Sequence, residues 1–162
     1  MSIDQAEFRH VLGHFASGVA IVTTHHAGSC HGTTVSSFCS LSLKPPLVLV
    51  CIDHTSTSHD LIMASSAFGV NILAEQGEWL SRHFASRAQA KFSGVPHQLG
   101  QTGVPLLEEA IATLECRVVA HYPGGDHSIF IGEVITASAH QDRQPLLYFR
   151  SRYNRLIERE RT

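Results

Sequence analysis

Charge is scarce in this chain: Asp, Glu, Lys and Arg together make up 16% of the 162 residues, the formal net charge is −2, and no run of Lys or Arg occurs. Nucleic acid and anionic membrane surfaces are held by clustered cations, so neither is expected as a partner, and any ligand has to be recognised locally. The four cysteines, Cys30, Cys39, Cys51 and Cys116, form no CxxC pair. A zinc knuckle and a redox dithiol are thereby disfavoured, and most of the cysteines read as small buried hydrophobes. Twelve histidines are many, yet no HExxH occurs, and the adjacent His25 and His26 would point to opposite faces of a strand. No metal site is expected. There is no GxGxxG, so no Rossmann fingerprint is present. No apolar run approaches the roughly 20 residues that span a bilayer, and the opening MSIDQAEFRH has no apolar signal core. A cytoplasmic location is the resulting expectation.

What is present is a globular composition, 43% hydrophobic, over a length that suits one domain, residues 1–162. The low charge suggests that a partner subunit covers part of the surface. The most informative stretch is Gly32 to Asp53, GTTVSSFCSLSLKPPLVLVCID. Five small hydroxyl or β-branched residues, Thr33, Thr34, Val35, Ser36 and Ser37, precede a corner at Lys44-Pro45-Pro46, and the apolar run Leu47 to Ile52 returns. A double proline neither continues a helix nor donates to a central ladder, so it punctuates two extended segments. Short hydroxyl side chains let a ligand approach the backbone while offering donors and acceptors. Asp53 and Ser56, Thr57 and Ser58 follow at the end of the return strand, and hydroxyls ahead of Leu61, Ile62 and Met63 are helix-capping signals at a potential phosphate site.

Elsewhere the periodicities are those of a strand-rich protein. Ser2 to Gln5 reads as a capping box. Phe8, Leu12 and Phe15 then form the core-facing stripe of a helix of about three turns that ends at Ser17-Gly18. Gly18 to Thr24 is a strand, turning at Ala27-Gly28-Ser29. Phe68 to Leu73 is a short buried strand. Glu75 to Phe84 is a helix with Trp79, Leu80 and His83 or Phe84 inward. Arg87 and Lys91, with Phe92 beside them, are the one compact basic feature of this half, and Pro96 to Pro105 reads as an exposed loop. Ile111 to Tyr122 alternates with period two, Pro123 to Asp126 is a turn, and His127 to Ala139 and Pro145 to Arg150 are further strands before a polar tail. Seven or more strands with hairpin-length connections and two or three helices predict a mainly antiparallel barrel decorated by helices.

GHFASGVAIVTT, TTVSSFCSLSLKPPLVLVCID, FGVNIL, KFSGV, GDHSIFIGEV and PLLYFRSRYNRL together resemble the short-chain flavin reductases, over about Phe8 to Leu156. These are the reductase components of two-component flavin monooxygenases of the 4-hydroxyphenylacetate and phenol hydroxylase type. The resemblance implies a flavin-binding split β-barrel of antiparallel Greek-key type. It further implies a homodimer that oxidises NADH or NADPH, reduces FMN or FAD, and passes the reduced flavin to a partner monooxygenase. On the same ground, Thr34, Val35, Ser36 and Ser37 would line the flavin ring, with Cys51, Ile52 and Asp53 beside it. Ser56, Thr57 and Ser58 would lie by the phosphate, Arg87 and Lys91 would neutralise it, and Tyr153 would close the pocket. His127 in the GDH turn would stand by the nicotinamide. Ser36 replaces the Asn found in many relatives. The competing reading is a flavin- or haem-binding split barrel without catalysis, and a ligand-free interaction barrel is a third.

Overall fold

The computed structural model describes residues 3–157. The first helix, α1 (Gln5–Leu12), is capped by Asp4, whose carboxylate accepts from the Ala6 and Glu7 N–H groups at 3.0 and 3.2 Å. Ser2, expected to cap it, lies outside the described residues. The helix ends at Gly13, four residues before the expected stop, where the Gly13 N–H bonds to the Arg9 carbonyl. Its apolar stripe does not lie on the core: Phe8, Val11, Leu12 and, past the helix, Phe15 at 79% exposure face outward. Periodicity fixes which residues share a face, not what covers that face.

The chain continues through β1 (Ser17–Gly18), β2 (Ala20–His26), β3 (Ser29–Val35), β4 (Phe38–Leu43), β5 (Pro46–Asp53), α2 (Thr57–Ser65) and β6 (Ala67–Leu73). A 3-10 turn, Glu75–Gly77, leads into α3 (Glu78–Ala85), followed by β7 (His97–Leu99), β8 (Pro105–Leu107), β9 (Ala110–Gly124), β10 (His127–Ala139), β11 (Leu146–Phe149) and β12 (Arg152–Arg155). All strand pairings in the three sheets are antiparallel. The main sheet runs β3-β2-β6-β9-β10-β5-β4, the predicted helix-decorated antiparallel barrel. β2 and β3 are joined by the two-residue turn Ala27-Gly28, both with positive φ, which suits a tight hairpin between right-twisted strands. The corner between β4 and β5 falls at Lys44-Pro45, as the double proline predicts.

Two apolar clusters follow from the strand alternation. Inside the barrel, Val22, Val50, Ile52, Ile62, Phe68 and Phe130 pack together. On the other face, Ile21, Leu80, Phe84 and Leu146 pack under α3. Gly132 on β10 has a specific reason to be glycine: a Cβ there would meet the Phe68 ring and approach Cys116 Cβ at 2.8 Å.

Two expectations are corrected here. Trp79 points outward, its indole N–H donating to Glu109 at 3.3 Å, while Leu80, Ser81 and Phe84 are buried. The 3-10 turn at Glu75–Gly77 has a tighter period than one continuous helix, which shifts the inward face. The segment Pro96 to Pro105 is not simply an exposed loop, because His97–Leu99 pairs with Pro105–Leu107 and Val104 is buried. Within the polar tail, Arg152–Arg155 pairs with β11. No helix among the described residues is long and apolar enough to cross a membrane.

Candidate active site

β3 and β4 occupy the two edges of the main sheet, and Ser36-Ser37 is the link between them. The β4–β5 ladder reaches Phe38 opposite Val50. One step further the Ser37 side chain takes over, its hydroxyl donating to the Cys51 carbonyl at 2.9 Å and accepting from the Cys51 N–H at 3.3 Å. A hydroxyl in place of a backbone pair lets the main chain of Ser36-Ser37 turn away toward β3, and a seam opens. The concavity at this seam holds about 250 Å³ and is lined by Thr33, Thr34, Val35, Ser36, Ser37, Cys51, Ile52, Asp53, Ser56 and His127.

Residues 74 positions apart thus meet because β5 pairs with β10, with Asp53 directly opposite His127. His127 Nδ1 lies 2.7 Å from Asp126 Oδ1. The imidazole hydrogen bond, and then its charge, hold the Asp126 carboxyl below the usual carboxylate range. Asp53 is likewise held low, by hydrogen bonds from the Thr55 N–H and hydroxyl, both at 2.7 Å. The His127 end of the concavity is therefore flanked by two carboxylates and suits an uncharged polar ring better than a phosphate. Burial, with Cys39 nearby, raises the Cys51 thiol, so no thiolate is offered at the wall.

Not every residue expected at the site converges there. Ser58 is buried in the first turn of α2, and Ser56 is its N-cap, without a side-chain capping bond. Thr57 and Ser58 do not line the concavity, nor do Arg87, Lys91, Phe92 and Tyr153. The Lys91 ammonium donates to the Phe84 carbonyl at 2.7 Å and to the Gly32 carbonyl at 3.4 Å, and burial lowers its pKa. It closes the C-terminal end of α3 rather than pointing into the seam. Arg87 is exposed. Phe92 stacks edge-on against Phe84 and His97. The Tyr153 hydroxyl lies 2.8 Å from Ser81 Oγ, with the Arg82 guanidinium over its ring. Tyr153 is linked to the hydroxyl strand through Ser81, whose carbonyl accepts from Thr34 Oγ1 at 2.7 Å.

Thr33 lines the seam; the sequence placed it in the hydroxyl stretch but not among the residues expected at the flavin ring. His54, His59 and Ser128 form a polar cluster behind His127 that no local motif signals. A second, larger concavity of about 390 Å³ lies around Glu115, Thr136 and His140 and includes none of the expected site residues. His10 and His14 stand in HxxxH spacing, but His14 Nδ1 bonds to the His10 carbonyl, and no group of three or more metal-ligating side chains occurs among the described residues.

Known proteins share this fold. The family model described as "Flavin reductase like domain" matches residues 12–156. The reductase component of a 4-nitrophenol 4-monooxygenase/4-nitrocatechol 2-monooxygenase from Rhodococcus opacus is 44% identical over 155 residues, covering 96% of this chain and 83% of that protein. Nitrilotriacetate monooxygenase component B from Mycobacterium thermoresistibile superposes with a TM-score of 0.94 at 40% identity, covering 98% of this chain and 90% of that one. The NADH:FAD oxidoreductase SgcE6 of Streptomyces globisporus C-1027, solved in complex with NAD and FAD fragments, superposes with a TM-score of 0.93 at 38% identity, covering 98% and 96%. With the antiparallel split barrel and its open seam in place, this chain belongs to the short-chain flavin reductase family, which includes the reductase components of two-component monooxygenases.

Proposed function

We propose that the seam between β3 and β5 is where flavin and nicotinamide meet in this NAD(P)H-dependent flavin reductase, which supplies reduced flavin to a partner monooxygenase. The observation that carries the assignment is the convergence of the hydroxyl strand Thr33 to Ser37, the end of β5 and His127 on one concavity. The residues fit the group: short side chains leave the backbone approachable at Ser36-Ser37, and no large side chain fills the space. About 250 Å³ suits a planar ring system rather than a whole dinucleotide. A flavin held there would supply the hydride-accepting chemistry, with FMN or FAD as acceptor and NADH or NADPH as donor.

The work left to the chain is positioning. Thr34 to Ser37 and Cys51 to Asp53 hold the ring edge, Ser56 at the start of α2 lies toward the phosphate side, and His127 orients the nicotinamide between Asp53 and Asp126. None of these side chains has to exchange a proton in the transfer, so the advantage comes from holding two rings at near-attack distance. His127→Ala is expected to raise the apparent nicotinamide KM or lower kcat/KM about 10-fold to 100-fold, about 1.4 to 2.7 kcal/mol of transition-state stabilisation. Flavin affinity should change less. Steady-state kinetics with each substrate varied in turn reads this directly, and unchanged nicotinamide kinetics in a folded variant would make His127 a turn residue only.

The working unit is a homodimer in the cytoplasm, and reduced flavin reaches the monooxygenase by diffusion or transient contact. The exposed apolar residues Phe8, Val11, Leu12 and Phe15 support the dimer, because a second copy removes such a face from water. Light scattering under assay conditions is expected to give twice 17.7 kDa. A single-chain mass would count against the dimer and leave the seam assignment standing.

A further inference from the structure

Behind the seam, one hydroxyl joins the three segments that shape its nicotinamide end. Ser128 is 7% exposed, and its side chain lies on the inward side of β10, one residue after His127. Its Oγ is 3.1 Å from His54 Nε2 and 2.9 Å from His59 Nε2. His54 follows β5 immediately, and its backbone N–H donates to the Asp126 carbonyl at 3.0 Å. Its main chain and its ring are therefore both tied to the residues on either side of His127. His59 lies in the first turn of α2, three residues after the N-cap Ser56, and its Nδ1 is 2.9 Å from Asp60 Oδ1.

The direction of this chain follows from donor chemistry. An ionised carboxylate only accepts, so Asp60 places the hydrogen of neutral His59 on Nδ1 and leaves Nε2 as an acceptor. Ser128 then donates its hydrogen to His59, and its oxygen accepts from His54 Nε2–H. Two rings with centroids 5.0 Å apart consequently carry opposite tautomers. The constellation is not a nucleophilic triad: Ser128 is buried, and a second imidazole occupies the oxygen that an attacking group would need free.

We infer that Ser128 is a positioning residue, whose hydroxyl, bridging His54 and His59, fixes the β5 end and the start of α2 against His127 and so sets nicotinamide binding. The inference rests on His127 being the nicotinamide-side residue. The β5–β10 ladder stops at the Asp53–His127 pair, and beyond it the strand end, the helix start and the hairpin turn are held by the His54 N–H bond to the Asp126 carbonyl and by side chains. A buried side-chain link therefore determines where the imidazole of His127 stands.

Ser128→Ala is expected to raise the apparent nicotinamide KM about 3-fold to 10-fold, with kcat and flavin affinity changed less than about 2-fold. Ser128→Thr, which restores the hydroxyl, returns KM to within about 2-fold of wild type. His59→Phe keeps a ring against Phe130, whose centroid is 5.6 Å away, but removes the acceptor, and it is expected to repeat the KM increase. Nitrogen-15 NMR of the unaltered protein is expected to show His54 protonated on Nε2 and His59 on Nδ1. Identical tautomers on the two rings would overturn the inference even if no variant folds. A folded Ser128→Ala that loses thermal stability with KM unchanged would overturn it too. If His127→Ala raises KM while Ser128→Ala does not, the positioning role alone fails. If His127→Ala leaves KM unchanged, the assignment of the nicotinamide side fails first and takes this role with it.

Discussion

Ser37→Tyr is expected to abolish flavin binding at ordinary flavin concentrations, with activity falling by about 100-fold or more, equivalent to at least about 2.7 kcal/mol. Two effects act together. The phenol ring occupies the concavity of about 250 Å³ that the small hydroxyl leaves open. The paired bonds from Ser37 Oγ to the Cys51 carbonyl and N–H are lost, so the end of β5 is no longer held at the edge of the seam. Fluorescence titration of free flavin measures the first effect without any turnover. Near-normal flavin affinity in the folded variant would place the ring elsewhere and refute the seam as the flavin site.

Removal of the Glu115 carboxylate should cost a large share of the stability. Glu115 is 1% exposed and accepts from the Gln101 N–H at 3.0 Å, from the Thr102 N–H, and from Thr136 Oγ1 at 3.3 Å. It holds the bend between β7 and β8 onto the long β9–β10 pair. Burial alone would raise its pKa, but the hydrogen bonds from Thr102, Gln101 and Thr136 outweigh that and hold it below the ordinary glutamate value. Glu115→Ala leaves two backbone donors without their acceptor, a loss of about 3 kcal/mol at pH 7. A depressed carboxyl stabilises the fold fully above its unfolded pKa, about 4.3, and the contribution disappears as pH falls through the lower folded value. Urea titrations should therefore show a large gap between wild type and variant at neutral pH and a narrowing gap in acid. An equal gap at both would mean that Glu115 is not held as a carboxylate.

Much of this molecule was legible before any coordinates. The hydroxyl strand, the proline corner and the GDH hairpin each have a local cause, in small side chains, a fixed proline φ and a glycine-containing turn. The pairing of β5 with β10 then brought Ser37, Asp53 and His127 to one place. What escaped the sequence were partners rather than elements. Phe8 and Leu12 lie at helical spacing whether the core or another surface covers them, so their outward orientation was not readable. Lys91 looked free for a phosphate because the carbonyls of Phe84 and Gly32, which hold it, carry no sequence signal. Arg152 to Arg155 has a polar composition that masks an edge strand whose support comes from the β11 ladder. The link from His54 through Ser128 to His59 joins positions 69 and 74 apart and depends on ring placement that no spacing rule encodes.

At the edge of the open seam the Ser37 side chain stands where a ladder bond would otherwise be, and this bears on the timescale on which a ring held there could exchange. Separating a β-ladder is a sub-global opening, drawn from the stability of the whole sheet. Turning one seryl rotamer is a local event on the picosecond to nanosecond scale for an accessible side chain. On the proposed assignment, the dwell time of a ring in the seam would be governed by its own contacts and not by strand separation. A carrier that must hand over its cargo once per cycle gains from an enclosure that loosens at a single hydroxyl while Phe68, Phe130 and the rest of the interior stay packed.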